Sequence, residues 1–131
     1  MPQIFDTPGL HHIGLRCGDL SRSRHFYGTV LGFPILRPEP ILIFQAGSAV
    51  IAMKGPEAAS PTGDVFNPFR IGLDHLALAC REEAELHRAA AALTAAGVDH
   101  TGVKSDASLG GRKYLAFKDP DRIAWEFYMI A

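Results

Sequence analysis

Several features that mark large classes of protein are scarce in this sequence. Two cysteines in 131 residues are too few for a disulfide framework, and a formal net charge of −1 gives no electrostatic basis for binding a polyanion. No apolar run approaches the length of a bilayer span, and residues 1–8 lack the pattern of a secretory signal. The absences predict a cytoplasmic globular protein that binds neither nucleic acid nor membrane.

The chain repeats itself once. Residues 9–17, GLHHIGLRC, align without a gap with residues 72–80, GLDHLALAC, at an offset of 63. In both copies a helical pattern follows, closed by Gly32 or Gly97, and three extended stretches come next. The sequence therefore predicts a single domain over 1–131, an α+β fold of two βαβββ halves forming one curved, cup-shaped mixed sheet.

The boundaries of the halves follow from composition. Module 1 covers residues 9–54, the Pro- and Gly-rich segment 55–70 is the linker, and module 2 covers residues 71–131. Three strands are expected to follow the helix in each module. Their expected ranges are 33–37, 41–45 and 49–54 in module 1, and 98–104, 113–118 and 123–130 in module 2, with a helix over 82–96 and a loop over 105–111.

Alternation of side chains along the strands separates a bulky face from a face with room for a ligand. His12 shares one face with Gly14 and Arg16, and His75 shares one face with Ala77 and Ala79. In the last strand Glu126 lies on the face opposite to Trp125 and Phe127. A carboxylate at a mid-strand position is costly unless it is paired or bound to a metal. Pairing of Glu126 with Arg112 or Arg16 is the structural alternative.

Several short motifs follow one another along the chain in a fixed order. They are LHHIGL at 10–15, DL at 19–20, FY at 26–27, LGF at 31–33, LDHLAL at 73–78, DPD at 119–121 and WEF at 125–127. In this order and spacing they resemble the vicinal oxygen chelate superfamily, which includes glyoxalase I, extradiol dioxygenases and bleomycin-resistance proteins.

The resemblance implies a divalent metal held by His12, His75 and Glu126. Two imidazoles and one carboxylate suit Fe(II) or Mn(II), with Zn(II), Co(II) or Ni(II) as further options. The resemblance also implies that the ion chelates two neighbouring oxygens of a small substrate. Two positions depart from relatives in the superfamily: Ala52 stands where glyoxalase I has a fourth ligand, and Ala116 stands where extradiol dioxygenases have a tyrosine.

Three further side chains are candidates for substrate orientation or proton transfer, namely Tyr114, Tyr128 and His100. For the two tyrosines, simple lining of the cup wall is an equal alternative. The functional expectation is a metal-dependent lyase, isomerase or dioxygenase that forms a homodimer. The alternative is a metal-free protein that sequesters a small molecule, as bleomycin-resistance proteins do. Whether one chain or two would complete the site is left open by the sequence.

Overall fold

A computed structural model describes residues 2–131, which form two four-stranded mixed sheets with few helices, so the α+β fold class is confirmed. Module 1 holds the first sheet and one helix that continues into a π-helical turn. Its elements are β1 (Ile13–Arg16), α1 (Leu20–Arg24) with the π-helical turn His25–Val30, β2 (Ile35–Arg37), β3 (Ile41–Ala46) and β4 (Ala49–Lys54). Module 2 repeats the plan with β5 (Leu76–Cys80), α2 (Glu83–Ala95), β6 (Lys104–Asp106), β7 (Arg112–Lys118) and β8 (Ala124–Met129).

The two sheets have the same topology. Their strand orders are β1-β4-β3-β2 and β5-β8-β7-β6, and in each the first strand pairs in parallel with the last. The register is also shared, because Gly14 pairs with Ala52 where Ala77 pairs with Glu126. The internal repeat seen in the sequence is therefore a repeat of structure down to individual residue pairs.

Asp19 and Gly32 set the two ends of the helical segment of module 1. The Asp19 side chain accepts a hydrogen bond from Arg22 N at 3.0 Å, which satisfies a free backbone donor of the first turn. Leu31 N donates to Phe26 O at 3.0 Å, a five-residue step that widens the last turn into a π-helix. Gly32, at φ 74°, then turns the chain out of the helix.

Module 2 differs from expectation after its helix. α2 lies within one residue of the predicted helix at each end, but residues 98–103 do not form the predicted strand. Only an isolated bridge joins His100 to Phe117, and Gly102, at φ 70°, bends the backbone away from the ladder. The strand β6 begins at Lys104, the last residue of the expected strand, and continues to Asp106. A 3₁₀ turn, Ala107–Leu109, lies within the predicted loop.

One hydrophobic core serves both modules, and the π-helical turn of module 1 lies at its centre. The fully buried ring of Tyr27 stacks on Phe44 of its own sheet, with centroids 4.7 Å apart. The same ring meets Trp125 of the other sheet edge-on at 5.8 Å. Phe33 makes a second contact of this kind with Phe127. The bulky faces of the two sheets are thus turned toward a common interior.

It follows that the faces with small and polar residues are turned outward. Gly14, Arg16, Ala77 and Ala79 are all exposed, whereas the residues between them along β1 and β5 are partly buried. Within residues 2–131 the backbone hydrogen bonds divide the eight strands into two four-stranded sheets, one in each module. None of the helices in this part of the chain is long and apolar enough to cross a membrane.

Candidate metal centre

Module 2 brings two of the predicted metal ligands together. His75 stands directly before β5 and Glu126 lies in β8, the strand that pairs with β5. Their side chains meet over the open face of the sheet, with His75 Nε2 3.4 Å from Glu126 Oε2. Both side chains are partly exposed, so a ligand can reach them from solvent.

The hydrogen bond of His75 Nδ1 determines that Nε2 is the nitrogen available to bind a metal. His75 Nδ1 donates to Asp74 Oδ1 at 2.7 Å, so in the neutral imidazole Nε2 carries a lone pair. That lone pair then faces the carboxylate of Glu126. Two acceptors that face each other have no proton to share, and a cation bound between them would stabilise the arrangement. Each donor lies about 2.1 Å from an ion bound by nitrogen or oxygen, so two neighbouring donors on the same ion stand roughly 3.0–3.4 Å apart. The observed separation fits such a site.

Module 1 carries the equivalent half of the pattern. His12 stands directly before β1, and its Nδ1 lies 2.9 Å from Nδ1 of His11. One of the two rings donates in this contact, and Nε2 of His12 takes no part in it. His11 and Asp74 occupy equivalent positions of the repeat. Each candidate histidine is therefore oriented by the residue before it, as is usual for imidazoles that bind metals.

The three predicted ligands do not converge inside one chain. Within residues 2–131, no three His, Cys, Asp or Glu side chains lie close enough together to hold one ion. Tyr27 and Phe33 pack against the bulky face of the second sheet, so the faces that carry the candidate ligands point away from the shared core. The structure thus joins His75 to Glu126 and leaves His12 in a separate half-site.

Glu126 makes neither of the ion pairs that were the structural alternative. Arg16 instead donates to Gly55 O at 2.8 Å and lies 3.4 Å from Glu57. Among the described residues Arg112 makes no salt bridge, and Glu126 has only the contact with His75. The charge of Glu126 therefore stays available on the open face.

Two of the candidate substrate residues lie beside Glu126. Tyr128 follows it by two residues on the same face of β8, and Tyr114 is the partner of Tyr128 on β7. Their rings stack with centroids 5.9 Å apart and planes 16° apart. Tyr128 Oη donates to Asp106 Oδ2 at 2.8 Å. Partial burial, followed by the bond to Asp106, raises the pKa of the Tyr128 phenol.

His100 lies elsewhere. It is bridged to Phe117, a residue of the bulky face, and its Nε2 is 2.7 Å from Oγ1 of Thr94 on α2. Its Nδ1 accepts a hydrogen bond from Gly102 N. The structure thus places His100 on the helix side of the sheet, away from the two tyrosines, and its part in proton transfer stays a prediction.

With this geometry established, comparison with known proteins gives the family. A sequence profile of the glyoxalase/bleomycin resistance protein/dioxygenase superfamily matches residues 9–127. The chain belongs to this superfamily. The uncharacterised protein YwkD of Bacillus subtilis (strain 168) is similar over 91% of this chain and 94% of its own length, at 28% identity.

Solved structures in the glyoxalase superfamily share the fold. The glyoxylase/bleomycin resistance protein/dioxygenase domain from Frankia sp. EAN1pec superposes with a TM-score of 0.80 at 25% identity, over 95% of this chain and 93% of that one. Lactoylglutathione lyase from Agrobacterium tumefaciens gives 0.73 at 18% identity, over 95% of each chain. At that identity the second likeness concerns the fold alone.

Within the superfamily fold, the shared register identifies what module 1 lacks. Ala52 pairs with Gly14 as Glu126 pairs with Ala77, so alanine occupies the structural equivalent of the glutamate. Sequence reasoning missed Asp74 and Asp106, which hold His75 and Tyr128. The only signal for Asp74 was its place next to a candidate ligand. Asp106 had none, because its contact with Tyr128 joins two strands that are not adjacent in the sheet.

Proposed function

We propose that this chain is a metal-dependent enzyme of the glyoxalase superfamily whose ion is bound by His75 and Glu126 of one copy and by His12 of a second copy. The observation that carries the proposal is the pair of donor atoms, His75 Nε2 and Glu126 Oε2, 3.4 Å apart on an open face. The hydrogen bond from His75 to Asp74 supports it, since that bond leaves Nε2 free to coordinate.

The need for a second copy follows from the direction of the open faces. β1 and β5 are edge strands, each hydrogen-bonded on one side only in the described structure. The segments that precede them expose large apolar side chains, including Leu10, Phe69 and Ile71. If the β1 edge of one copy lies beside the β5 edge of another, His12 approaches His75. Two-fold symmetry then makes the same contact twice, giving a homodimer with two sites.

The donor set indicates what chemistry the ion would supply. Fe(II) or Mn(II) suits two imidazoles and one carboxylate, and such an ion acts as a Lewis acid toward two neighbouring oxygens of a small substrate. Ala52 contributes no donor, which leaves room for substrate oxygens. The reaction would be that of a lyase, an isomerase or a dioxygenase. The free thiols of Cys17 and Cys80 support a location in a reducing cytoplasm.

Metal content tests this proposal. We expect protein purified without chelator and dialysed against Mn(II) or Zn(II) to bind about one ion per chain by mass spectrometry of the digested protein, because each chain supplies one complete set of ligands to the dimer. His75→Ala and Glu126→Gln should each lower the bound metal at least about tenfold, since loss of a direct ligand should cost no less than loss of a residue that orients one.

The control uses a matched pair on α2, where His87 Nε2 lies 3.1 Å from Glu83 Oε2 on the surface. His87→Ala and Glu83→Gln should leave the metal content unchanged, because these residues lie outside both half-sites. Wild-type protein that binds no metal in stoichiometric amount would overturn the proposal in favour of a metal-free binding protein. If the control variants lost as much metal as His75→Ala and Glu126→Gln, the assignment of His75 and Glu126 as metal ligands would be wrong.

A further inference from the structure

The face that carries Glu126 also has an aromatic wall, formed by Tyr128 and Tyr114. Tyr128 lies two residues beyond Glu126 on β8, and the stacked ring of Tyr114 supports it from the neighbouring strand. In module 1 the equivalent positions on β4 and β3 hold Lys54 and Ile41. The fold itself therefore does not require aromatic residues here, and the wall is a feature of one half-site.

Tyr128 is fixed in place by an acidic residue at the rim. Its hydroxyl donates to Asp106 Oδ2, and the other oxygen of Asp106 accepts from the backbone N–H and the hydroxyl of Ser108 at 2.9 and 2.6 Å. With its proton committed to Asp106, the phenol can only accept a hydrogen bond from a ligand. This arrangement suits Tyr128 to orient a substrate and not to supply a proton.

The floor beside the wall is made of small side chains. Ala77 and Ala79 on β5 are the partners of Glu126 and Tyr128, and both are exposed. Among the described residues Tyr114 is the only aromatic ring stacked on Tyr128, so one face of the Tyr128 ring is left without a second ring against it. The exposed strip above these two alanines, which runs from the His75–Glu126 pair to Tyr128 on one face of the sheet, is the slot.

From this geometry we infer that the site takes a ligand whose two chelating oxygens are carried on a planar aromatic or conjugated group, and that this group stacks on Tyr128. The inference rests on the proposed metal site, because the slot starts at His75 and Glu126. Planar groups stack favourably on an aromatic ring. Because the hydrogen bond to Asp106 already holds the Tyr128 side chain in place, a ligand that stacks on it costs little further side-chain entropy.

Two hydroxamates test the inference, since benzohydroxamate and acetohydroxamate share one two-oxygen chelating group and differ only in the aromatic ring. Their affinities for the Mn(II)-loaded dimer are measured by titration calorimetry after metal content has been verified. We expect benzohydroxamate to bind about tenfold more tightly than acetohydroxamate, beyond the ratio for free Mn(II). Tyr128→Leu should remove most of this preference and Tyr114→Leu part of it. Tyr128→Phe, which keeps the ring, should retain most of it.

The outcomes separate this inference from the metal site. Metal-loaded wild type that binds both hydroxamates with the ratio of free Mn(II), or binds neither, overturns the aromatic slot and leaves the metal site intact. A preference that survives in a Tyr128→Leu variant with full metal content also overturns it. Wild-type protein without bound metal removes the metal site and the slot together.

Discussion

At the scale of single residues, the Tyr27 side chain connects module 1 to module 2 through buried hydrogen bonds. Its hydroxyl donates to Asp119 Oδ2 at 2.5 Å and accepts from Trp125 Nε1 at 2.9 Å, and all three groups are buried. Asp119 also accepts from the backbone N–H groups of Asp121 and Ile123. At the centre of the core, this network gives the Tyr27 hydroxyl the hydrogen-bond partners that water would otherwise supply.

Replacing Tyr27 with phenylalanine should therefore destabilise the protein without changing its fold. The ring and its stacking on Phe44 are kept, but the Asp119 carboxylate and the Trp125 indole each lose a partner. We expect the free energy of unfolding in urea to fall by about 1–3 kcal/mol. Tyr128→Phe, whose hydroxyl bonds at the rim of the sheet, is the control and should change stability by much less. An unchanged midpoint for Tyr27→Phe would contradict the role given to this network.

The same residue makes stability depend on alkaline pH. Burial, followed by the charge of Asp119, raises the pKa of the Tyr27 phenol far above its usual value near 10. A raised pKa means that the folded state favours the protonated phenol, so this contribution is complete below about pH 10 and is lost as the pH rises above it. We expect wild-type stability to fall more steeply than that of Tyr27→Phe between roughly pH 9 and pH 11. Parallel slopes for the two proteins would exclude Tyr27 as the cause.

At the scale of elements, the segments leading into β1 and β5 are the ones that need a partner. Ile71 is fully exposed, and Leu10 is the repeat equivalent of Leu73, two residues beyond Ile71. Burying an isoleucine side chain contributes about 1.5–3 kcal/mol. If a second copy covers this segment, Ile71→Asp should raise the dimer dissociation constant at least about tenfold in analytical ultracentrifugation.

Leu36→Asp provides the control for this change. Leu36 is an apolar residue of β2 that is also exposed, but it lies on the edge of the first sheet farthest from β1. Its substitution should leave the dimer and the metal content unchanged. A wild-type chain that is monomeric at all concentrations, yet binds metal stoichiometrically, would contradict the part assigned to these segments.

At the scale of the whole molecule, mixing two inactive variants distinguishes a site within one chain from a site between two. Each homodimer of His12→Ala or of His75→Ala has no complete set of ligands. A mixed dimer has one complete set, because His12 of one chain meets His75 and Glu126 of the other. Unfolding and refolding the two variants together in equal amounts should restore about one quarter of the wild-type metal content, since half of the dimers are mixed. A site within one chain predicts no recovery.

Much of the fold could be predicted from the sequence, because periodicity and turn residues act locally. The repeat of residues 9–17 in residues 72–80 predicted an equivalent first strand in each module, and Gly32 and Gly97 placed the ends of the helices correctly. Alternation along β8 placed Glu126 on the open face beside Tyr128. The stretch after α2 was wrong by several residues, because Gly102 bends a segment whose composition alone is compatible with a strand.

Which residues share a sheet face was determined by the sequence itself, since a strand alternates its side chains whatever surrounds it. Which faces meet was decided only by tertiary structure. Tyr27 packs against both sheets, so both bulky faces point inward. Within residues 2–131 His12 therefore does not join the His75–Glu126 pair in one three-residue cluster. Burial of large apolar surface outweighs the placement of three polar side chains, and no local pattern records that balance.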